Sequence, residues 1–326
     1  MKYMEIGKSK ISVSRVGLGT WAIGGGPAWG DNDHRKSIAT IRHCADIGVN
    51  LIDTAPAYNF GHSEEVLGEA LQGIREKFAL ISKCGITWTN QGSFFIKVGE
   101  TPLYKNLSKT SIKQDFELSL KRMNTDYIDI YMTHWQSVEP FFTPISETME
   151  ALLELKQEGK IKAIGAANVT AEHVKEYLKY GQLDLVQEKY SILDRKVEKE
   201  MMPLCKANGI TLQAYSPLEQ GLLTGTIAKD YIAPVGSARK GKKWFEPKNL
   251  VKAVAMIESW DGLCKKYNCT IANLAIAWIL AQGNFINLLS GAVSMDEIEQ
   301  NIKAVNIELS VEDIALLREM AEKLDK

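Results

Sequence analysis

Residues 127–166, YIDIYMTHWQSVEPFFTPISETMEALLELKQEGKIKAIGA, carry the reading that decides the fold. Tyr127–Met132 and Ile161–Ala166 are short β-rich runs, continuous in their apolar character rather than alternating. That pattern is expected of parallel strands covered on both faces. Between them Ala151–Leu155 is built from good helix formers. Lys156, Gly159 and Lys160 then supply the cations and glycine that suit a helix C-terminus. Strand, helix and returning strand make one βαβ unit.

The same alternation extends in both directions. Further β-rich runs lie at Arg15–Thr20, Val49–Asp53, Phe78–Ser82, Leu185–Gln187, Ile210–Tyr215 and Ile286–Leu289, making eight in all. Helix starts stand between them. Ser63 leads Glu64 and Glu65 ahead of Val66 and Leu67, Thr170-Ala-Glu-His opens another helix, and Ser310-Val-Glu-Asp opens the last. Each places acid near the positive end of a helix. Eight strand–helix units predict an α/β fold of the (β/α)8 TIM-barrel type rather than an open doubly wound sheet. No linker, repeat or low-complexity tract interrupts residues 1–326, so a single barrel domain is expected. Two additions decorate it. Tyr3–Gly7 and Ile11–Ser14 read as an N-terminal β-hairpin. A long loop after strand seven, from Gly221 to Pro247, exceeds ordinary loop length and reads as a functional flap.

Composition narrows the function. The 326 residues include 39 Lys+Arg and 40 Asp+Glu, a net charge of −1, with 45% hydrophobic and 24% charged residues. Such a chain is globular, which excludes disordered and fibrous classes. Its balanced charge gives no general pull towards nucleic acid or an anionic membrane. Five cysteines, at 44, 84, 205, 264 and 269, are odd in number and lack a C-x-x-C pair. A reduced, cytoplasmic protein is expected. The N-terminus shows no apolar signal segment. The uncharged run Tyr267–Met295 is broken by Asn273, Gln282, Gly283, Asn284 and Asn287, so it reads as a buried helix and strand.

Several motifs fail on their physics. Gly17-Leu-Gly19-Thr-Trp-Ala22 fits a dinucleotide fingerprint, but Ile23-Gly24-Gly25-Gly26-Pro27 follows where a helix should begin. Gly236-Ser-Ala-Arg-Lys-Gly241-Lys242-Lys243 lacks the hydroxyl a phosphate loop needs for magnesium. Its Arg239, Lys240, Lys242 and Lys243 beside Trp244 read first as a solvated loop. The histidines at 34, 43, 62, 134 and 173 show no metal-ligand spacing, so no metal is expected. No G-x-S-x-G nucleophile is present.

In a barrel the active site lies at the C-terminal ends of the strands. Strand two ends Asp53-Thr-Ala-Pro-Ala-Tyr58, strand three ends Ile81-Ser82-Lys83, and strand four ends Met132-Thr133-His134-Trp135. One rim thus gathers a carboxylate, a phenol, an ammonium and an imidazole. That set suits protonation of a carbonyl oxygen while a hydride arrives at its carbon. Asp53 would hold Lys83 charged, and the ammonium would lower the pKa of Tyr58. His134 would orient the carbonyl. No side chain supplies a hydride, so a cofactor is required.

These pieces resemble the aldo-keto reductase family, with a likeness to bacterial members akin to potassium-channel β-subunits. The matching stretches are VGLGTW (16–21), LIDTAPAYNFGHSEE (51–65), SLKRMNTDYID (119–129), GKIKAIG (159–165) and AYSPLEQGLLTG (214–225), which together span nearly the whole chain. The resemblance implies a catalytic tetrad of Asp53, Tyr58, Lys83 and His134. It implies Asn168 and Gln187 on the nicotinamide carboxamide, Tyr215 stacked on the ring, and a pyrophosphate cradle at Ser216, Leu218, Gly221, Leu223 and Gly225. Gly19, Thr20 and Trp21 would line the cofactor cleft, and Gly291, Ser294, Gln300 and Asn301 its adenosine end. Trp21, Trp88 and Trp135 would form the substrate pocket. Two positions depart from the family pattern: Ala167 where a serine is usual, and Val293 where a cation usually meets the adenosine 2′-phosphate.

The resemblance implies NADP(H) as the preferred cofactor, NAD(H) being possible, with flap cations substituting at the phosphate. Small aldehydes, ketones or open-chain sugars, or the matching alcohols, are the implied substrates. Nucleic acid and membrane are not expected partners, and either a monomer or a homo-oligomer fits the sequence. Two alternatives stand beside this reading: a cofactor-binding redox sensor, and an aldolase using Lys83 as a Schiff base.

Overall fold

The computed structural model describes residues 1–89 and 91–325. Eight parallel strands close on themselves in chain order: Val16–Gly19, Leu51–Asp53, Ala79–Cys84, Ile128–Thr133, Ile161–Ala167, Leu185–Lys189, Thr211–Tyr215 and Ile286–Gly291. The last pairs with the first. Every expected run is a strand, with ends displaced by no more than two residues. The barrel follows from the sequence because each strand is apolar on both faces. One face meets the helical layer, and the other fills the interior.

Two cores result. The larger lies between strands and helices. The smaller fills the barrel and joins Ile6 and Val13 of the hairpin to Leu51, Ala79 and Leu185 at the first positions of three strands. The hairpin, Tyr3–Ile6 paired antiparallel with Ile11–Ser14, therefore plugs the N-terminal mouth and leaves the opposite rim for chemistry.

The caps at Thr170 and Ser310 form as the sequence implies, each hydroxyl accepting from the backbone N–H three residues on. Ser63 does not cap its helix. The helix His62–Ala70 starts after Gly61, whose φ of 92° suits glycine. The Ser63 hydroxyl is instead buried against those of Thr20, at 2.7 Å, and Thr54, at 3.0 Å. Glu64 is also buried, 2.6 Å from both Arg122 and Ser82. The run Tyr267–Met295 holds the buried helix Ile271–Leu280 and the barrel strand Ile286–Gly291.

Two features differ from expectation. Pro27 lies in a one-turn helix, Gly26–Trp29, at a position where a missing N–H costs nothing. This turn begins well past Gly19, so it makes no phosphate-binding fingerprint. The loop after the third barrel strand folds into its own antiparallel sheet of Ile86–Thr87, Ser93–Val98 and Thr101–Lys105. Its signal was present in the sequence, two β-rich runs around a two-residue turn at Gly99, where φ is 58°.

Candidate active site

The rim brings the four ionisable groups together. Asp53 is the last residue of its strand, Lys83 the penultimate one of the next, and His134 follows directly on Thr133. Tyr58 is delivered by a tight turn in which Asn59 and Phe60 take φ of 50° and 54° before Gly61. The Asn59 side chain donates to the Gly24 carbonyl at 2.9 Å, which holds this strained turn.

Lys83 is fully buried. Its ammonium donates to both Asp53 oxygens, at 2.7 and 2.8 Å, to the Thr54 carbonyl at 2.9 Å and to the Tyr58 hydroxyl at 3.1 Å. The Tyr58 and His134 rings meet edge to face with centroids 5.7 Å apart. With its hydrogens so committed, Lys83 is not presented as a Schiff-base nucleophile.

Burial dominates the titration of this cluster. It lowers the Lys83 pKa, and the adjacent Asp53 opposes that fall. The His134 imidazole sits well below its ordinary value, first through burial and then through the Lys83 charge, so it is neutral at neutral pH. The expectation that Lys83 lowers the Tyr58 pKa is corrected here. Burial raises it well above 10, and the Asp53 carboxylate and Tyr215 push in the same direction. The phenol faces an ion pair rather than a lone cation, so it keeps its proton.

Strands five to seven face this group with amides and a ring. Asn168 donates to the His134 carbonyl at 2.9 Å and accepts from the Tyr215 hydroxyl at 2.8 Å. Gln187 donates to Asp53 at 2.8 Å and to Gln213 at 2.7 Å. Beyond Tyr215 the backbone is left-handed at Ser216, Glu219, Gln220, Gly221 and Gly225. Such turns expose successive N–H groups and form anion-binding concavities. Leu223, expected in the cradle, is fully buried and its N–H donates to the Leu218 carbonyl at 3.1 Å, so it has no donor left for a phosphate. The Gly221 N–H is bonded to the same carbonyl at 2.9 Å, and Leu218 is packed against the core. Two amides, a ring and an N–H concavity on adjacent elements fit a nicotinamide dinucleotide.

The other expected positions divide. Trp21 lies 6.4 Å from the Tyr58 ring and stacks edge-on against Trp29. Trp88 meets Phe60, and Trp135 meets Phe95. Phe60, Phe95 and Trp29 were not singled out from sequence, because single aromatics in loops carry no periodic signal. Lys105, also unforeseen, sits 4.9 Å from the Phe95 ring and 5.1 Å from that of Trp135. Thr20 is buried with its hydroxyl on the Asp53 carbonyl, 2.9 Å away, and so supports the strand end. Gly19 and Gly291 are register partners on neighbouring strands.

At the far end Ser294 caps the helix Met295–Ile302, and Glu297 accepts from the Val293 N–H at 2.9 Å. Gln300 contacts Thr270 and Asn273, while Asn301 donates to the Gly291 carbonyl. The flap is fastened from within. Arg239 donates to the Gln220 carbonyl and the Tyr231 hydroxyl and lies over the Tyr231 ring. Ala238 N–H donates to the Ala28 carbonyl, which joins the flap to the loop after strand one. Lys243 covers Trp244 at 4.4 Å. Arg239 and Lys243 thus serve the flap itself.

A barrel rim with this acid, its ion pair and a dinucleotide cleft defines an NAD(P)H-dependent oxidoreductase that interconverts carbonyls and alcohols. The profile of the Aldo/keto reductase family matches residues 15–322, and the chain belongs to that family. It is 57% identical over 328 residues to the NADH-specific methylglyoxal reductase of Escherichia coli, covering all of both chains. It is 36% identical to the aldo-keto reductase YhdN of Bacillus subtilis, over 96% of this chain and 91% of that one. Among solved structures, the glycerol dehydrogenase AKR11B4 of Gluconobacter oxydans superposes with a TM-score of 0.89 at 30% identity, covering 98% of this chain and 95% of that one.

The NADP(H) preference expected from the family resemblance is overturned by the 57% identical, full-length relative, which is NADH-specific. The positions that the resemblance assigns to the adenosine end agree with this correction. Where a cation would meet a 2′-phosphate stands Val293, with the Glu297 carboxylate on its N–H. Arg239, offered as a substitute, is committed to the flap. Among the described residues no helix is long and apolar enough to cross a membrane.

Proposed function

We propose that the protein is an NADH-dependent reductase of small aldehydes and ketones, with 2-oxoaldehydes such as methylglyoxal as the substrate class. The observation that carries this reading is the Lys83 ammonium held between Asp53 and the Tyr58 hydroxyl, 3.1 Å from the latter. The substrate carbonyl oxygen sits between Tyr58 and the neutral His134. Tyr58 passes its proton to that oxygen as the carbonyl carbon is reduced, and Lys83 stabilises the phenolate left behind. Bound nicotinamide supplies the hydride. Asn168 and the free Oε1 of Gln187 would hold its carboxamide, and Tyr215 would cover the ring. The N–H groups of Ser216, Leu218 and Gln220 would take the pyrophosphate, those of Glu219 and Gly221 being spent on the Ser216 and Leu218 carbonyls. Glu297 disfavours a 2′-phosphate by its charge. Trp21, 6.4 Å from the Tyr58 ring, would line the substrate side of the site together with Trp88 and Trp135. Five unpaired cysteines suit a reducing cytoplasm.

Steady-state oxidation of NADH and NADPH, followed at several concentrations of methylglyoxal and simple ketones, tests the reading. It requires turnover of methylglyoxal with NADH favoured by about tenfold or more, the weight of one unfavourable charged contact. Equal use of NADPH, or no carbonyl turnover, would refute it.

A further inference from the structure

Three amide side chains cross the barrel interior in a single line. Gln187, Gln213 and Asn287 are register partners on strands six, seven and eight's neighbouring positions: Gln187 lies opposite Gln213, and Gln213 opposite Asn287. Gln187 is 3% exposed and the other two not at all. Gln187 Nε2 donates to Gln213 Oε1 at 2.7 Å, Gln213 Nε2 donates to Asn287 Oδ1 at 2.7 Å, and Asn287 Nδ2 donates to the Ser14 and Arg15 carbonyls at 2.9 and 3.2 Å. Apolar side chains would fill this interior more cheaply than a buried polar chain, which is tolerable only when its members are satisfied.

The chain can run only one way. The Ser14 and Arg15 carbonyls accept and never donate, so Asn287 must turn its NH2 towards them and its oxygen towards Gln213. Gln213 must then turn its NH2 to Asn287 and its oxygen to Gln187. At the other end both Asp53 oxygens take hydrogen bonds from Lys83, and Oδ2 also accepts from Gln187 Nε2 at 2.8 Å. Both hydrogens of the Gln187 amide are therefore consumed inside the protein. What remains is Oε1, an acceptor.

We propose that Gln213 and Asn287 are positioning residues that lock Gln187 so that it offers the cofactor site an acceptor and no donor. The ligand feature that matches is an N–H of the nicotinamide carboxamide. This rests on the assignment of Gln187 to the carboxamide made above. Without Gln213, one Gln187 hydrogen loses its partner, the side chain gains freedom to turn, and the fixed acceptor is lost.

The test compares binding of NAD+ with that of its 3-acetylpyridine analogue, which has a methyl ketone in place of the amide and so no N–H to give. ADP-ribose, which lacks the ring altogether, reports on the rest of the cleft. Calorimetric titration of the wild type should show NAD+ binding about tenfold tighter than the analogue, the weight of one hydrogen bond. Gln187→Leu should bring that ratio close to one. Gln213→Met, similar in size, should lower it several-fold while ADP-ribose affinity stays as in the wild type. Asn287→Leu, one link further away, carries the same expectation and serves if Gln213→Met does not fold. If Gln187→Leu keeps the wild-type ratio, the carboxamide assignment fails and this inference falls with it. If Gln187→Leu collapses the ratio while Gln213→Met, or Asn287→Leu in its place, keeps it, the inference alone is overturned.

Discussion

The Lys83 ammonium stands 3.1 Å from the Tyr58 hydroxyl, yet Tyr58 titrates above its ordinary range and not below it. Asp53, bonded to Lys83 through both oxygens, cancels the charge the phenol would otherwise see. The pair thus keeps the acid protonated for reduction and keeps a cation at hand for the phenolate.

Asp53→Asn leaves the burial that chiefly raises the Tyr58 pKa but removes the carboxylate that raises it further. The phenol pKa should fall, so alcohol oxidation, which needs phenolate, should reach its plateau at lower pH than in the wild type. Carbonyl reduction should lose its rate at correspondingly lower pH. Because His134 titrates well below its ordinary range, neither profile should show an imidazole inflection between about pH 6 and 8. Superimposable pH–rate profiles for wild type and variant would contradict this account of Asp53.

The barrel was legible because eight runs are apolar on both faces, a local property of each stretch. Asp53, Tyr58, Lys83 and His134 were legible because strand ends of a barrel share one rim, so sequence position alone implies spatial neighbourhood. The sign of the Tyr58 shift was not, since it depends on how deeply the group is buried and how closely Asp53 neutralises Lys83. Gln213 and Asn287 escaped notice for a different reason. Each is one polar residue inside an apolar run, and its partner lies 26 or 74 residues away. Glu64 was read as a helix-dipole acid but is a buried partner of Arg122, 58 residues on. Cofactor preference followed the family pattern even though Val293 was legible as a departure from it, and the NADH-specific relative overturned it. The Glu297 contact with the Val293 N–H is what only the fold shows.

Val293→Arg places a cation where the adenosine 2′-phosphate of NADPH would lie. NADPH affinity should rise about tenfold or more, as for a charge-assisted hydrogen bond. NADH, which has no phosphate there, should bind nearly as before. Fluorescence titration of both cofactors decides the matter, and an equal gain for the two would place the adenosine end elsewhere.

Asp115 lies behind the Lys83 strand, where its carboxylate accepts from the Gly85 N–H at 3.2 Å. Burial raises its pKa to about 7 from 3.8. The unfolded chain ionises it first, so its contribution favours the folded state in acid and is lost as pH rises from about 4 to 7. Asp115→Asn should stabilise the protein at pH 8 by an amount on the order of a few kcal/mol, and have little effect near pH 4. Urea unfolding at the two pH values measures this, and an equal change at both would show that Asp115 is not the titrating group.

The most direct test of the account is turnover of methylglyoxal with NADH by Tyr58→Phe, measured beside the NADH affinity of the same variant. The phenyl ring keeps the shape of the site and removes only the proton donor. Turnover should fall by roughly 10²–10⁴-fold, as when a general acid is lost, with NADH bound as tightly as by the wild type. Near-wild-type turnover in this variant would contradict the assignment of Tyr58 as the acid on which the mechanism rests.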